Sequence, residues 1–165
     1  MAKPALLLVS VNCVADLDPT IRTFVIFQYK PASSILDVVG TAVCRRRDEN
    51  GWVQEAEITA SDGEVQSSFG NSVAMLSLPG RDNIALIGAW KDSELHDRSG
   101  AAYVYETKGG GVWNETIKLM PEELIRKSYF GNSVAIQEGK SGDILEIFAG
   151  AGPLDTVYSF ELCIK

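Results

Sequence analysis

Phe69-Gly70-Asn71-Ser72-Val73-Ala74 recurs letter for letter as Phe130-Gly131-Asn132-Ser133-Val134-Ala135, 61 residues further along the chain. Six identities in a row arise by chance on the order of once in 10⁴ chains of this size, so the segment is an internal duplication. Its neighbours share the offset. Trp52 and Trp113 each follow a polar, Gly-containing turn and open an alternating segment, Trp52-Val-Gln-Glu-Ala-Glu-Ile58 and Trp113-Asn-Glu-Thr-Ile-Lys-Leu119. Apolar and polar residues that alternate with period two predict strands.

Downstream, Ile84-Ala-Leu-Ile-Gly-Ala89 answers to Glu146-Ile-Phe-Ala-Gly-Ala151, and Tyr103-Val-Tyr-Glu106 answers to Tyr158-Ser-Phe-Glu161. The offset falls between these two pairs, which places a deletion of about seven residues in the polar turn 91–99, where a change of loop length costs little. Upstream, Gly40-Thr-Ala-Val-Cys-Arg45 aligns with Gly100-Ala-Ala-Tyr-Val-Tyr105, and Phe24-Val-Ile-Phe27 with Ile84-Ala-Leu-Ile87, so a degenerate first copy occupies the N-terminal third. The copies span about 6–59, 60–120 and 121–165 of a single segment that takes in the whole chain. Four short strands per copy, at a spacing of about sixty residues, predict an all-β fold. That fold is a partial β-propeller of nearly three four-stranded antiparallel blades, about 11 strands, with the last copy stopping after its third. Pro121-Glu-Glu-Leu-Ile-Arg-Lys127, with Pro first, acids early and bases late, predicts one helical turn on a loop.

The composition agrees with a packed domain. The 165 residues are 45% hydrophobic and 22% charged, and 15 Lys plus Arg against 22 Asp plus Glu leave a net charge of −7. An acidic surface argues against nucleic acid as a partner. Cys13, Cys44 and Cys163 lie in apolar, strand-like runs without C-x-x-C spacing and are read as inert buried thiols. The opening MAKPALLLVSVNCVAD is a thin version of a signal peptide, and its apolar run, residues 5–11, is needed as a strand of the first copy. No stretch reaches the roughly 18 apolar residues of a spanning helix.

These elements resemble the FG-GAP repeat family, the blade unit of integrin α-chain propellers and of many bacterial and protist surface proteins. The resemblance rests on the Phe-Gly pairs Phe69-Gly70 and Phe130-Gly131, on Gly88-Ala89 and Gly150-Ala151, on Gly100-Ala-Ala-Tyr-Val-Tyr105, and on the strands led by Trp52 and Trp113. Physical reasoning assigns the same residues structural roles. The Phe rings fill the space between neighbouring blades, each following Gly permits a turn or a close approach, and the Gly-Ala pairs close strands where the chain is crowded. The chain departs from the family pattern twice. Trp90 stands where Pro follows Gly-Ala, with Pro153 displaced in the last copy. The acidic calcium loop of the integrin-like members is replaced by Leu76-Ser-Leu-Pro-Gly-Arg-Asp-Asn83 and Gln137-Glu-Gly-Lys-Ser-Gly-Asp143, which lack the closely spaced oxygens that calcium needs. Asp92, Glu94 and Asp97 share another loop, but Lys91 and Arg98 flank them, and a solvated turn is expected there.

No catalytic constellation emerges. Gly139-Lys140-Ser141 has Val134 where a phosphate-binding loop requires its first Gly, and a strand follows it instead of a helix. Gly150-Ala-Gly152 lacks the third Gly of a dinucleotide fingerprint. His96 is the single histidine and sits in a polar loop, with no Gly-x-Ser-x-Gly elbow to supply a nucleophile. The expectation is a non-catalytic repeat scaffold, without cofactor or metal, that binds a protein partner or further blades. Because propellers take four to eight blades, the chain is read as a piece of a longer protein or as self-associating through open edges. The alternative is an accessory module of a secreted hydrolase. The resemblance implies an extracellular or cell-surface setting.

Overall fold

The computed structural model describes residues 23–27, 40–63, 66–77, 81–107, 111–140 and 142–163. Among these residues there are ten strands: β1 (Thr23–Phe27), β2 (Ala42–Asp48), β3 (Gly51–Ile58), β4 (Phe69–Leu76), β5 (Asn83–Ala89), β6 (Ala101–Thr107), β7 (Trp113–Leu119), β8 (Phe130–Glu138), β9 (Ile144–Ala151) and β10 (Thr156–Cys163). They form three antiparallel sheets in which every strand pairs with its neighbour in sequence: β1-β2-β3 (sheet I), β4-β5-β6-β7 (sheet II) and β8-β9-β10 (sheet III). The architecture is all-β and consistent with a partial propeller. The further strand expected at residues 5–11 lies outside the described residues, as does Cys13.

Among the described residues helix is confined to one short 3₁₀ turn, Gly152–Leu154. The segment expected to form a helical turn makes two successive tight turns instead, closed by the Leu124 N–H on the Pro121 carbonyl (3.2 Å) and the Ser128 N–H on the Ile125 carbonyl (3.2 Å). Leu124 is buried in the neighbouring core, and this inward anchor interrupts what the charge pattern alone suggested.

Two apolar cores separate the three sheets. The first joins Ala42, Cys44 and Ile58 of sheet I to Phe69, Ile87 and Tyr103 of sheet II. The second joins Leu86, Val104 and Ala74 of sheet II to Phe130, Ile147 and Ala149 of sheet III. Sheet II is thus apolar on both faces, and β5 and β6 are almost wholly buried because each alternate residue meets a different neighbour. At the other end of the strands, Arg81 bridges the β4–β5 and β8–β9 connections, donating to the Gly142 carbonyl (2.7 Å) and pairing with Asp143 (2.9 Å).

The duplicated segment adopts one backbone shape twice. Gln66, Ser68 and Gly70 have positive φ, and so do Lys127, Tyr129 and Gly131, 61 residues on. In both copies the pairing then skips two residues, from Phe69 to Ser72 opposite Ala89 and Gly88, and from Phe130 to Ser133 opposite Ala151 and Gly150. Gly70 (φ 92°) and Gly131 (φ 79°) sit inside these bulges, where an L side chain is strained.

Gly88 has no such conformational demand; its reason lies across the sheet boundary. A Cβ there would stand 2.0 Å from the carbonyl oxygen of Gly131 in sheet III. Gly88→Ala is therefore expected to force the two sheets apart and to cost about 3 kcal/mol of stability. Gly63→Ala, in a turn with positive φ and open space around it, should cost about 1 kcal/mol, and chemical denaturation of the two variants measures the contrast.

Candidate functional site

The sheet junctions are where the duplicated residues meet. Phe69 lies edge-on to Tyr103 (centroids 5.3 Å apart) and Tyr105 (6.1 Å); Phe130 lies edge-on to Tyr158 (5.4 Å) and Phe160 (6.1 Å). Each Phe therefore rests on the third strand of its own sheet while its ring sits in the core shared with the preceding sheet. The backbone of each runs hard against a glycine of that preceding sheet. A Cβ on Gly40 would stand 2.0 Å from the Phe69 carbonyl oxygen, and one on Gly100 2.1 Å from that of Phe130. Gly100 and Phe130 pair as an isolated parallel bridge.

Asn and Ser of the two segments then meet across the boundary between sheets II and III. Ser72 Oγ donates to the Gly131 carbonyl (2.7 Å), and Asn71 Nδ2 donates to the Asn132 carbonyl (3.3 Å). Ala89 and Ala151 are fully buried, one in each core. A Cβ on Gly150 would meet Ser133 of its own sheet first, 2.4 Å from its Oγ. Trp113 packs half-buried against the first core, and Trp52 occupies the strand position opposite Arg47.

A loop completes the second junction. Residues 91–99 run beside residues 127–130: the Lys127 N–H donates to the Asp97 carbonyl (2.8 Å), Tyr129 to Arg98 (3.2 Å) and Phe130 to Ser99 (2.9 Å). Arg126 pairs with Asp97 (2.8 Å) and holds that exposed carboxyl below the usual carboxylate range. Trp90 stacks edge-on against Tyr129 (5.0 Å). His96 is exposed, its backbone N–H bound by Ser99 Oγ.

This loop is not simply the solvated turn its composition suggests, because Asp92 is fully buried. Lys118 Nζ, on β7, pairs with Asp92 (2.9 Å), Glu94 (2.6 Å) and Asp62, and Tyr103 Oη lies 2.8 Å from Asp62 and 2.9 Å from Asp92. An ammonium has three N–H donors, and three carboxylates take them. Burial would lower the Lys118 value, but the carboxylates outweigh it and keep the ammonium charged well above its ordinary range. Burial would likewise raise Asp62, yet the bonds from Lys118 and Tyr103 hold it below 3.8. Burial and the adjacent Asp92 push the Tyr103 phenol up. Among the described residues no three metal-type ligands converge without such a cation. Lys118, Asp62 and Tyr103 escaped the sequence reading because they come from different strands and turns, and only the sheet geometry brings them together. Elsewhere, Cys44 is buried beside Glu55 and its thiol is pushed up to about 12, as an inert core thiol would be, whereas Cys163, expected to be buried like it, is exposed because it ends the outermost strand β10 on its outward side.

Lys118→Met should strand buried Asp92 without its cation and cost about 3 kcal/mol at neutral pH. Restoring the balance with Asp92→Asn should recover part of that loss. Because Asp62 titrates lower in the folded chain than in the unfolded one, its contribution is complete above about pH 4 and fades as the pH falls through the folded value. Asp62→Asn is thus expected to lower the Tm by more at pH 7 than at pH 3, a difference read directly by calorimetry.

The comparison with protein families falls on this geometry. No curated protein matches the chain in sequence. The family model described as FG-GAP repeat matches residues 52–105, a span that begins in β3, takes in the Phe69-Gly70 bulge, and ends in β6 beside Tyr103. The matched span takes in Phe69, Gly70, Ser72, Gly88 and Gly100 of the junctions: over residues 52–105 the chain is similar to an FG-GAP repeat.

Proposed function

We propose that the chain is a non-catalytic propeller-type scaffold that recognises a protein partner through loops at one end of its sheets. The observation that carries the reading is the paired loop surface between sheets II and III. Residues 90–99 and 121–129 are fixed to each other by backbone hydrogen bonds, by Arg126 on Asp97 and by Trp90 on Tyr129. They are fixed from below by the Lys118 cluster. Rigid loops carrying exposed apolar residues suit recognition, since little conformational freedom is lost on binding. Leu95 is 37% and Ile125 58% exposed on these loops. Asp97 is paired with Arg126, Lys118 is paired with Asp62, Asp92 and Glu94, and Asp97, Lys118 and Asp62 are held in their charged forms, which suits structural fixation better than proton transfer.

The proposal extends to assembly: three sheets are fewer than the four to eight blades of a closed propeller, so the scaffold is completed within a longer polypeptide or by association.

The test is a comparison of variants in extracts of the natural host. The double variant Leu95→Asp, Ile125→Asp should keep the far-UV spectrum and Tm of the unmodified chain but lose a co-purifying protein. Val112→Asp, an exposed change at the far end of the strands, should retain that protein. Equal retention by both variants would overturn the assignment of the loop surface.

A further inference from the structure

The turn between β2 and β3 is the one place in the chain where asparagine precedes glycine, at Asn50-Gly51. β2 ends at Asp48 and β3 begins at Gly51, these two residues pair, and Glu49 and Asn50 make the turn between them. Both turn residues are exposed. Gly51 has φ 123°, a conformation that L side chains rarely adopt, and a Cβ built on it would have nothing within 4 Å. Nothing therefore crowds the backbone nitrogen of Gly51 from its side-chain direction, on a turn that water reaches.

The other asparagines are placed differently. Asn83 is followed by Ile84 in β5 and Asn114 by Glu115 in β7, each inside a paired strand. Asn71 and Asn132 precede Ser72 and Ser133 in the two bulges. There the Asn71 side-chain amide donates to the Asn132 carbonyl (3.3 Å), and the two backbone N–H groups close on the carbonyls of Ser68 (3.1 Å) and Tyr129 (3.2 Å). Asn12 precedes Cys13 and lies outside the described residues. Attack of a backbone nitrogen on the amide carbon of the preceding asparagine needs a nitrogen unshielded by its own side chain and a backbone able to tighten into a cyclic imide. Among the described residues Asn50-Gly51 alone meets both conditions.

We propose that Asn50 is a site of spontaneous covalent modification, at which the side-chain amide is lost through a cyclic imide to leave a mixture of aspartate and isoaspartate. The Gly51 N–H gives its proton to solvent base, the nitrogen bonds to Cγ of Asn50, and the Cγ–Nδ2 bond breaks with ammonia leaving. Water then opens the imide: cleavage on the Cγ side restores the ordinary backbone as aspartate, and cleavage on the backbone-carbonyl side leaves isoaspartate. One water is consumed and one ammonia released, with no oxidant or cofactor. The new carboxylate stands beside Asp48 and Glu49 and takes the net charge one unit below −7. Isoaspartate also adds a backbone carbon to a turn whose ends are fixed by the pairs Asp48–Gly51 and Arg47–Trp52, so the end of this hairpin has to absorb the extra length. The inference is independent of the loop surface between sheets II and III.

The experiment keeps the folded full chain in a mildly alkaline buffer, digests samples at intervals and weighs the peptides by mass spectrometry. The peptide carrying Asn50 should gain about 1 Da and separate into two chromatographic forms, with isoaspartate the larger. Its rate should lie within about tenfold of that of the same chain unfolded in urea, because the turn neither buries nor shields the reacting atoms. The peptides carrying Asn71 and Asn132 should stay unmodified while half of Asn50 converts. Asn50→Gln, which leaves the turn glycine in place, should abolish the gain at that peptide. Mildly acidic buffer, in which the Gly51 nitrogen keeps its proton, should slow the conversion. Protection of Asn50 in the folded chain beyond that tenfold factor, or conversion of Asn71 or Asn132 ahead of it, would overturn the proposal.

Discussion

Backbone carbonyls set the distance between neighbouring sheets: that of Phe69 against Gly40 between sheets I and II, and those of Phe130 against Gly100 and Gly131 against Gly88 between sheets II and III. Sheets that pack through side chains lie about 10 Å apart. Here the chain enters sheets II and III through a bulge whose backbone touches the preceding sheet, so at this end the sheets are closer than side-chain packing allows. The Phe ring then fills the wedge that opens beyond the contact, braced edge-on by two aromatic rings of its own third strand. One six-residue segment thus supplies the contact, the filler and the polar bonds of Ser72 and Asn71 that fix the lateral position. A structural unit with so many coupled requirements tolerates little change, which accounts physically for two letter-identical copies in a chain whose other repeats have drifted.

Lys118 adds a second constraint, on the loop that receives the next sheet. Asp92 begins this loop and is buried, so the loop path depends on a charge that must be compensated from β7. An isolated carboxylate at that depth would be untenable. With the ammonium shared among Asp62, Asp92 and Glu94, and Tyr103 bridging two of them, the turn before β4, the loop after β5 and strands β6 and β7 are tied at one point. Tyr103 also carries the edge contact to Phe69, so the same residue links the ionic cluster to the first aromatic core.

The strands and their order were legible because period-two alternation and the sixty-residue repeat are local signals, and the copies themselves marked which strands correspond. The bulge glycines Gly70 and Gly131 were legible as positions of turn or close approach. The reason for Gly88 was not, because strand-end glycines look alike in sequence and only the path of the next sheet distinguishes a turn from a contact. Asp92 illustrates the same limit. Its neighbours Lys91, Glu94 and Asp97 read as a solvated loop, and the residue that buries it, Lys118, lies in a strand whose own alternation is satisfied without reference to the loop. The acid-first, base-last pattern after Pro121 pointed to a helical turn, and Leu124 broke it by turning inward to the second core.

The divergence of the copies also follows a rule once the faces are known. Identity ends at Ala74 and Ala135, and the next two residues behave oppositely: Met75 becomes Ile136, facing a neighbouring sheet, whereas Leu76 becomes Gln137, facing away from one. The following strand repeats the contrast, with Ala85 becoming Ile147 inward and Ile84 becoming Glu146 outward. Each inward polar group would lose its water at a packed junction, so the inward rows of both copies stay apolar. The two copies thus diverge in alternate residues of their strands, while the duplicated Phe-Gly segment that serves both junctions stays unchanged.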